Sequence, residues 1–197
     1  NGFADVWTPE RHFHAFGGLY PNPPVGAAAL ATITENIGIR AGSCVLPLHN
    51  PIRIAEEWGL VDNLSNGRVG ISFASGWQPN DFVIAPQNYE ERQKIFQEGI
   101  ETVRALWRGE RLTFVGPKGE VNLRTLPRPV QAELPFWVTA AGNPETFRVA
   151  GEMGANLLTH LLGQSLEELS DKLGVYRQAW RDTGHAGEGH VTLMLHT

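Results

Sequence analysis

Residues 8–14, TPERHFH, place a carboxylate (Glu10), a guanidinium (Arg11) and two imidazoles (His12 and His14) within five positions, just past a strand-like run. An imidazole can gain or lose a proton near neutral pH, a neighbouring carboxylate can orient it, and a guanidinium can balance an anion. This is the material of acid–base chemistry. A second reading is open on the same residues: His12-x-His14 on an extended segment projects both rings to one side, as a metal-binding pair would.

Other chemistry-bearing residues fall at comparable places. His49 and Asn50 follow a second apolar run. Ser75, Trp77, Gln78, Asn80 and Asp81 follow a third, Gly142 and Asn143 a fourth, His160 lies near a fifth and His196 at a sixth. In TAAGNPETF (139–147) a strand runs into small residues and a proline early in a helix, which leaves backbone N–H groups free to hold an anion such as phosphate.

Six runs of strand length must position these groups: 4–8, 39–47, 68–74, 135–141, 155–162 and 190–197. They are rich in β-branched and aromatic residues, and most read as buried on both faces. Between them, helical spacing predicts helices over 24–36, 51–65, 88–108, 144–153 and 165–183. In 88–108, Ile95, Gly99, Ile100, Val103, Leu106 and Trp107 fall on one stripe, and Gly109 stops it. Residues 110–134 break the rhythm and read as an excursion with a short hairpin. Asp62 and Arg68 in VDNLSNGR read as a buried structural pair joining helix to turn.

Alternating strands and helices imply an α/β fold with a parallel sheet. Six such units would extend to a (β/α)8 TIM barrel, with the first strand and one or two C-terminal units absent. The Asn1-Gly2 pair reads as the cap of a preceding helix, and no G-x-G-x-x-G supports the rival open doubly wound sheet. In a barrel the residues just past the strands share one face, so the polar census above converges on a pocket. We expect one incomplete barrel domain over 1–197.

The net charge of −5 over 197 residues, with no run of Lys/Arg, excludes an electrostatic footprint for nucleic acid or an anionic membrane. A small-molecule substrate is expected. The single cysteine, Cys44, permits no internal disulfide, and no apolar run nears the roughly 18 residues of a spanning helix. Both fit a cytoplasmic protein.

Taken together, ERHF-x-x-FGGLYPNP, LPLHNPIRIAEEWGLVDNLSNGR and GW-x-x-x-DF resemble the bacterial luciferase-like flavin-dependent monooxygenases. FWVTAAGNPETFRVAGEMGANLLTHLLG looks most like the mupirocin-type branch associated with polyketide and nonribosomal-peptide assembly lines, hence secondary metabolism. The resemblance implies an eight-stranded α/β barrel, reduced FMN as cosubstrate with O2, no metal, a flavin reductase as electron source and a homodimer. It also implies a small organic or carrier-protein-bound substrate.

The family pattern has Glu-His-His-Phe where this chain has Glu10-Arg11-His12-Phe13, so Arg11 replaces the first histidine and His12 keeps the second. By resemblance His12 is the acid/base, with Glu10 and Arg11 orienting it or neutralising flavin charge. The flavin ring would lie against Gly42-Ser43. Its phosphate would be held at Ser75, Arg92 and the turn Ala141-Gly142-Asn143, and His160 would flank the flavin. Three other readings remain: a non-catalytic partner subunit, a deazaflavin-dependent oxidoreductase, and a His-x-His metal-dependent hydrolase completed by His160 or His196.

Overall fold

The computed structural model describes residues 2–15 and 18–195. Asn1, Phe16, Gly17, His196 and Thr197 lie outside the described residues, and with them the expected cap at Asn1 and the rim position of His196. The chain divides into two compact units, Asn1–Pro135 and Phe136–Thr197.

The first unit alternates β1 (Asp5–Thr8), α1 (Pro23–Ile33), β2 (Gly38–Val45), α2 (Pro51–Ser65), β3 (Val69–Ala74) and α3 (Arg92–Arg108). It continues into an antiparallel hairpin, β4 (Leu112–Gly116) and β5 (Gly119–Leu123). β1 runs parallel to β2, Asp5 beside Gly38 through Thr8 beside Ala41. β2 runs parallel to β3, with the register shifting between Gly42 and Cys44. The Gly42–Ser43 peptide is cis. β3 is buried along all but its last residue, as a largely apolar strand covered on both faces would be.

Local sequence sets the helix ends. Asn50 Oδ1 accepts the Ile52 N–H at 2.9 Å, Pro51 occupies the first turn of α2, and Asn66 closes it in the left-handed region at φ 54°. α3 begins at Arg92, later than its spacing suggested, because Pro86–Asn88 form a separate 3-10 turn. Its buried face is Phe96, Gly99, Ile100, Val103, Leu106 and Trp107, with Phe96 taking the place expected of half-buried Ile95. Each large side chain buried here contributes roughly 1.5–3 kcal/mol. At Gly99 a β-carbon would stand 2.7 Å from Leu46 Cδ2, so α3 packs closely on the end of β2.

Asp62 and Arg68 do not pair with each other. Asp62, fully buried, accepts the backbone N–H groups of Val130 and Gln131 at 2.7 and 2.9 Å and the Gln131 side-chain amide at 2.7 Å. Arg68 donates to the carbonyls of Thr34, Ile37 and Ser65 at 2.6–2.7 Å and ties the end of α1 to the start of β3. Each group answers orphaned backbone polar atoms nearby, a stronger demand than one another's charge.

The second unit contains β6 (Phe136–Thr139), α4 (Pro144–Glu152), β7 (Asn156–His160), α5 (Leu166–Asp182) and β8 (Val191–Met194). β7 runs parallel to both β6 and β8. Ser165 and Glu168 form a reciprocal capping box at the start of α5. α4 and α5 meet at Gly151, where a β-carbon would come within 2.3 Å of the Tyr176 carbonyl oxygen. The buried Tyr176 hydroxyl donates to the Ala155 carbonyl at 2.8 Å. The α/β fold expected from the sequence is thus present, with three parallel strands in each unit. Among the described residues no helix is long and apolar enough to cross a membrane.

Candidate active site

Glu10 lies two residues beyond β1, and its side chain is 0 % exposed. An isolated carboxylate could not stay ionised there at low cost, so its partners are decisive. Oε2 accepts the Val45 N–H at the end of β2, at 2.7 Å. Oε1 takes two imidazoles, His12 Nε2 at 2.8 Å and His49 Nε2 at 2.7 Å. Burial pushes the Glu10 carboxyl upward, but the hydrogen bonds from His12, His49 and Val45 outweigh it and hold the pKa below the ordinary value.

An ionised carboxylate only accepts, so both rings carry their proton on Nε2 and leave Nδ1 as the basic atom. The hydrogen bond to Glu10 raises the His12 pKa above 6.5, with burial opposing and the Glu10 and Asp81 charges reinforcing. The His12 side chain is 9 % exposed and that of His49 is 26 %. Phe13 turns the chain through a left-handed conformation at φ 52°, and its ring lies 5.8 Å from that of His12.

Cys44, Glu10 and His49 offer ligand atoms within 4.8 Å of one another, and among the described residues this is the cluster with metal-ligand proximity. It contains neither His14 nor His160. Nitrogen and oxygen atoms around a tetrahedral zinc with bonds of roughly 2.0 Å stand about 3.3 Å apart. The 2.7 Å separation of His49 and Glu10 is that of a hydrogen bond. Burial, with the Glu10 and Glu57 charges, pushes the Cys44 thiol well above its ordinary range, so it stays neutral.

Of the residues singled out from sequence, Glu10 and His12 are brought together directly. Arg11 anchors the same loop through its N–H to the Tyr20 carbonyl at 3.1 Å, and its guanidinium lies 5.9 Å over the ring of Trp77. Gly42 and Ser43 sit half-buried at the irregularity in β2. Ser75 Oγ, just past β3, accepts Gln93 Nε2 at 3.1 Å, whereas Arg92 donates to the Tyr89 carbonyl at 2.8 Å and lies 4.5 Å over the Tyr89 ring. His14 is exposed.

In the second unit, Asn143 caps α4, its Oδ1 accepting the Glu145 N–H at 3.0 Å. Gly142 is exposed, with open space where a side chain would stand, and the Ala141 carbonyl accepts Lys172 Nζ at 3.3 Å. His160 ends β7, its Nδ1 accepting the Leu162 N–H at 3.2 Å.

Two residues were not assigned a role from sequence. His49 stands among the residues past the second strand, but nothing local reveals that it reaches Glu10. Gln93 is adjacent to Arg92, and only the helix phase turns it toward Ser75.

Parallel strands with ionisable side chains gathered past the carboxyl ends of β1 and β2 define an α/β protein with the ligand face of a strand–helix enzyme. The chain belongs to the luciferase-like monooxygenase family, whose pattern matches residues 1–197. It is 28% identical over 204 residues to the oxygenase component of flavin-dependent trigonelline monooxygenase from Acinetobacter baylyi, covering 100% of this chain and 55% of that one. It is 30% identical over 177 residues to an F420-dependent glucose-6-phosphate dehydrogenase from Amycolatopsis mediterranei, covering 86% and 51%. The crystal structure of the monooxygenase RslO1 from Streptomyces bottropensis matches with TM-score 0.86 at 28% identity, covering 98% of this chain and 59% of that one. The chain thus spans about half the length of the curated relatives it matches.

Proposed function

We propose that the protein is an FMN-dependent monooxygenase that uses reduced flavin and O2 to oxidise a small organic or carrier-protein-bound substrate, with His12 as its acid/base. The observation that carries this is the pair of His12 Nε2 and the buried Glu10 carboxylate, 2.8 Å apart, in a chain of this family. Glu10 fixes the tautomer of His12, keeps its proton affinity high and presents Nδ1 as the atom that takes or gives a proton.

Other residues of the first unit supply chemistry that fits a flat, anionic, phosphate-bearing cofactor. Trp77 and Phe13 expose 75 % and 72 % of their surface as aromatic faces, and the Arg11 cation lies over Trp77. Ser75 and Gln93 supply a paired hydroxyl and amide, with the Arg92 guanidinium at the next position. These residues would hold the group, with Gly42 and Ser43 offering a stretch of backbone without bulky side chains. When bound, reduced flavin supplies the electron pair that activates O2. The protein's part is to exclude water and to control the proton at His12.

We further propose an eight-stranded barrel that includes these six strands, membership of the assembly-line branch, a homodimer and a separate flavin reductase. The 30% identical F420-dependent relative favours a second reading, hydride exchange with a deazaflavin. Mixing the intact protein with reduced FMN and O2, and separately with oxidised F420 and an alcohol, separates the two. Slow flavin reoxidation with oxygen in the product supports the monooxygenase, and F420 reduction without O2 supports the other. His12→Ala should lower the productive rate about 10²- to 10⁴-fold in either case, and an unchanged product yield sinks the assignment.

A further inference from the structure

We infer that His49 is the positioning residue for His12, acting through Glu10: it locks in place the carboxylate oxygen on which His12 leans. This inference rests on the reading of His12 as the acid/base.

Three observations support it. First, the two rings share Oε1 at 2.8 and 2.7 Å, so a shift of that oxygen away from one ring is felt by the other. Second, the Glu10 side chain is fully buried, which removes the water that would otherwise screen one ring from the other. Third, His49 is rigidly mounted: its N–H donates to the Leu46 carbonyl at 3.0 Å, closing the 3-10 turn Leu46–Leu48, and the next residue, Asn50, caps α2.

Glu10 is therefore held by Val45 and His49 together, one donor at the end of β2 and one just past it. His12 belongs to the loop after β1 and leans on a carboxylate already fixed by other elements. Without the His49 donor, Oε1 loses its strongest anchor outside that loop, and the orientation of His12 relaxes.

Charge follows the same geometry. Among the described residues Glu10 is the carboxylate hydrogen-bonded to both rings, and the Asp81 charge past β3 also favours protonated His12.

The test uses the intact protein without cofactor first. The His12 imidazole resonances of wild type, His49→Gln and His49→Phe are followed against pH by nuclear magnetic resonance; glutamine keeps an N–H donor and phenylalanine removes it. His12 should titrate above the ordinary imidazole value in wild type and His49→Gln, and at lower pH in His49→Phe, where the carboxylate loses its anchor. If His12 titrates in His49→Phe as it does in wild type, the inference is overturned.

Turnover with reduced flavin supplies the second readout. His49→Phe should reduce kcat about ten- to hundredfold, the scale of lost outer-shell support, and His49→Gln should recover most of it. A Phe variant as fast as wild type, or a Gln variant no faster than Phe, overturns the positioning role. Should neither wild type nor any variant turn over reduced flavin, the flavin reading falls, and the His12 titration alone decides for or against the positioning role.

Discussion

Glu10 and His49 stand 39 residues apart in sequence, and Oε1 of one lies 2.7 Å from Nε2 of the other. That contact joins the loop after β1 to the turn after β2. It makes the candidate site a property of two strand–helix units at once.

Stability should depend on pH through Glu10. Its carboxyl is lowered from 4.5, so its contribution is present above about pH 4.5 and is lost as pH falls through the folded value. His12 is raised from 6.5, so its contribution is full below about pH 6.5 and is lost as pH rises through the folded value. Both are present between those limits. Glu10→Gln should therefore cost most there, on the order of 3 kcal/mol, and less on either side. Urea midpoints of wild type and variant across pH 4–9 check this, and a pH-independent difference contradicts it.

Asp62→Ala should destabilise without touching the site. It strands two backbone N–H groups and the Gln131 amide in a buried place, which costs about 3 kcal/mol or more. A lower urea midpoint at unchanged slope is the expected signature.

Gly151→Ala sets two effects against each other. Alanine favours a helix interior by roughly 1 kcal/mol over glycine. Here its β-carbon would stand 2.3 Å from a backbone oxygen of α5, and backbone cannot step aside as a side chain could. Overpacking costs about 1–3 kcal/mol, so the net change should be destabilising. A raised melting temperature for this variant would show that α4 and α5 are not so close.

Cys44 should resist alkylation. It is buried and its thiol is held well above the ordinary range, so little thiolate forms at pH 8. Iodoacetamide should label it in denaturant and leave the native protein unmodified over an hour, read by mass spectrometry.

Much of the fold was legible because local rules act within a few residues. Helical spacing bounded α2 at 51–65, as observed, and the caps that fix those ends are Asn50 with Pro51 and the left-handed Asn66. Apolar runs marked the strands to within a few residues at each end. The start of α3 was less legible, since Pro86–Asn88 continue a helical spacing yet form a separate turn. Asp62 and Arg68 look like partners at short separation, but their hydrogen bonds run to Gln131, 69 residues on, and to the end of α1.

The sequence by itself determined the order of strands and helices, the family and the ionisable cluster past the first strand, because these depend on residue types, short spacings and shared motifs. Only the tertiary structure decided that His12 and His49 meet on one oxygen of Glu10, that Gln93 and not Arg92 reaches Ser75, and that Asp62 binds the chain beyond the hairpin. Such contacts depend on strand register and helix phase between distant segments, where one residue of slip reverses the side a side chain faces.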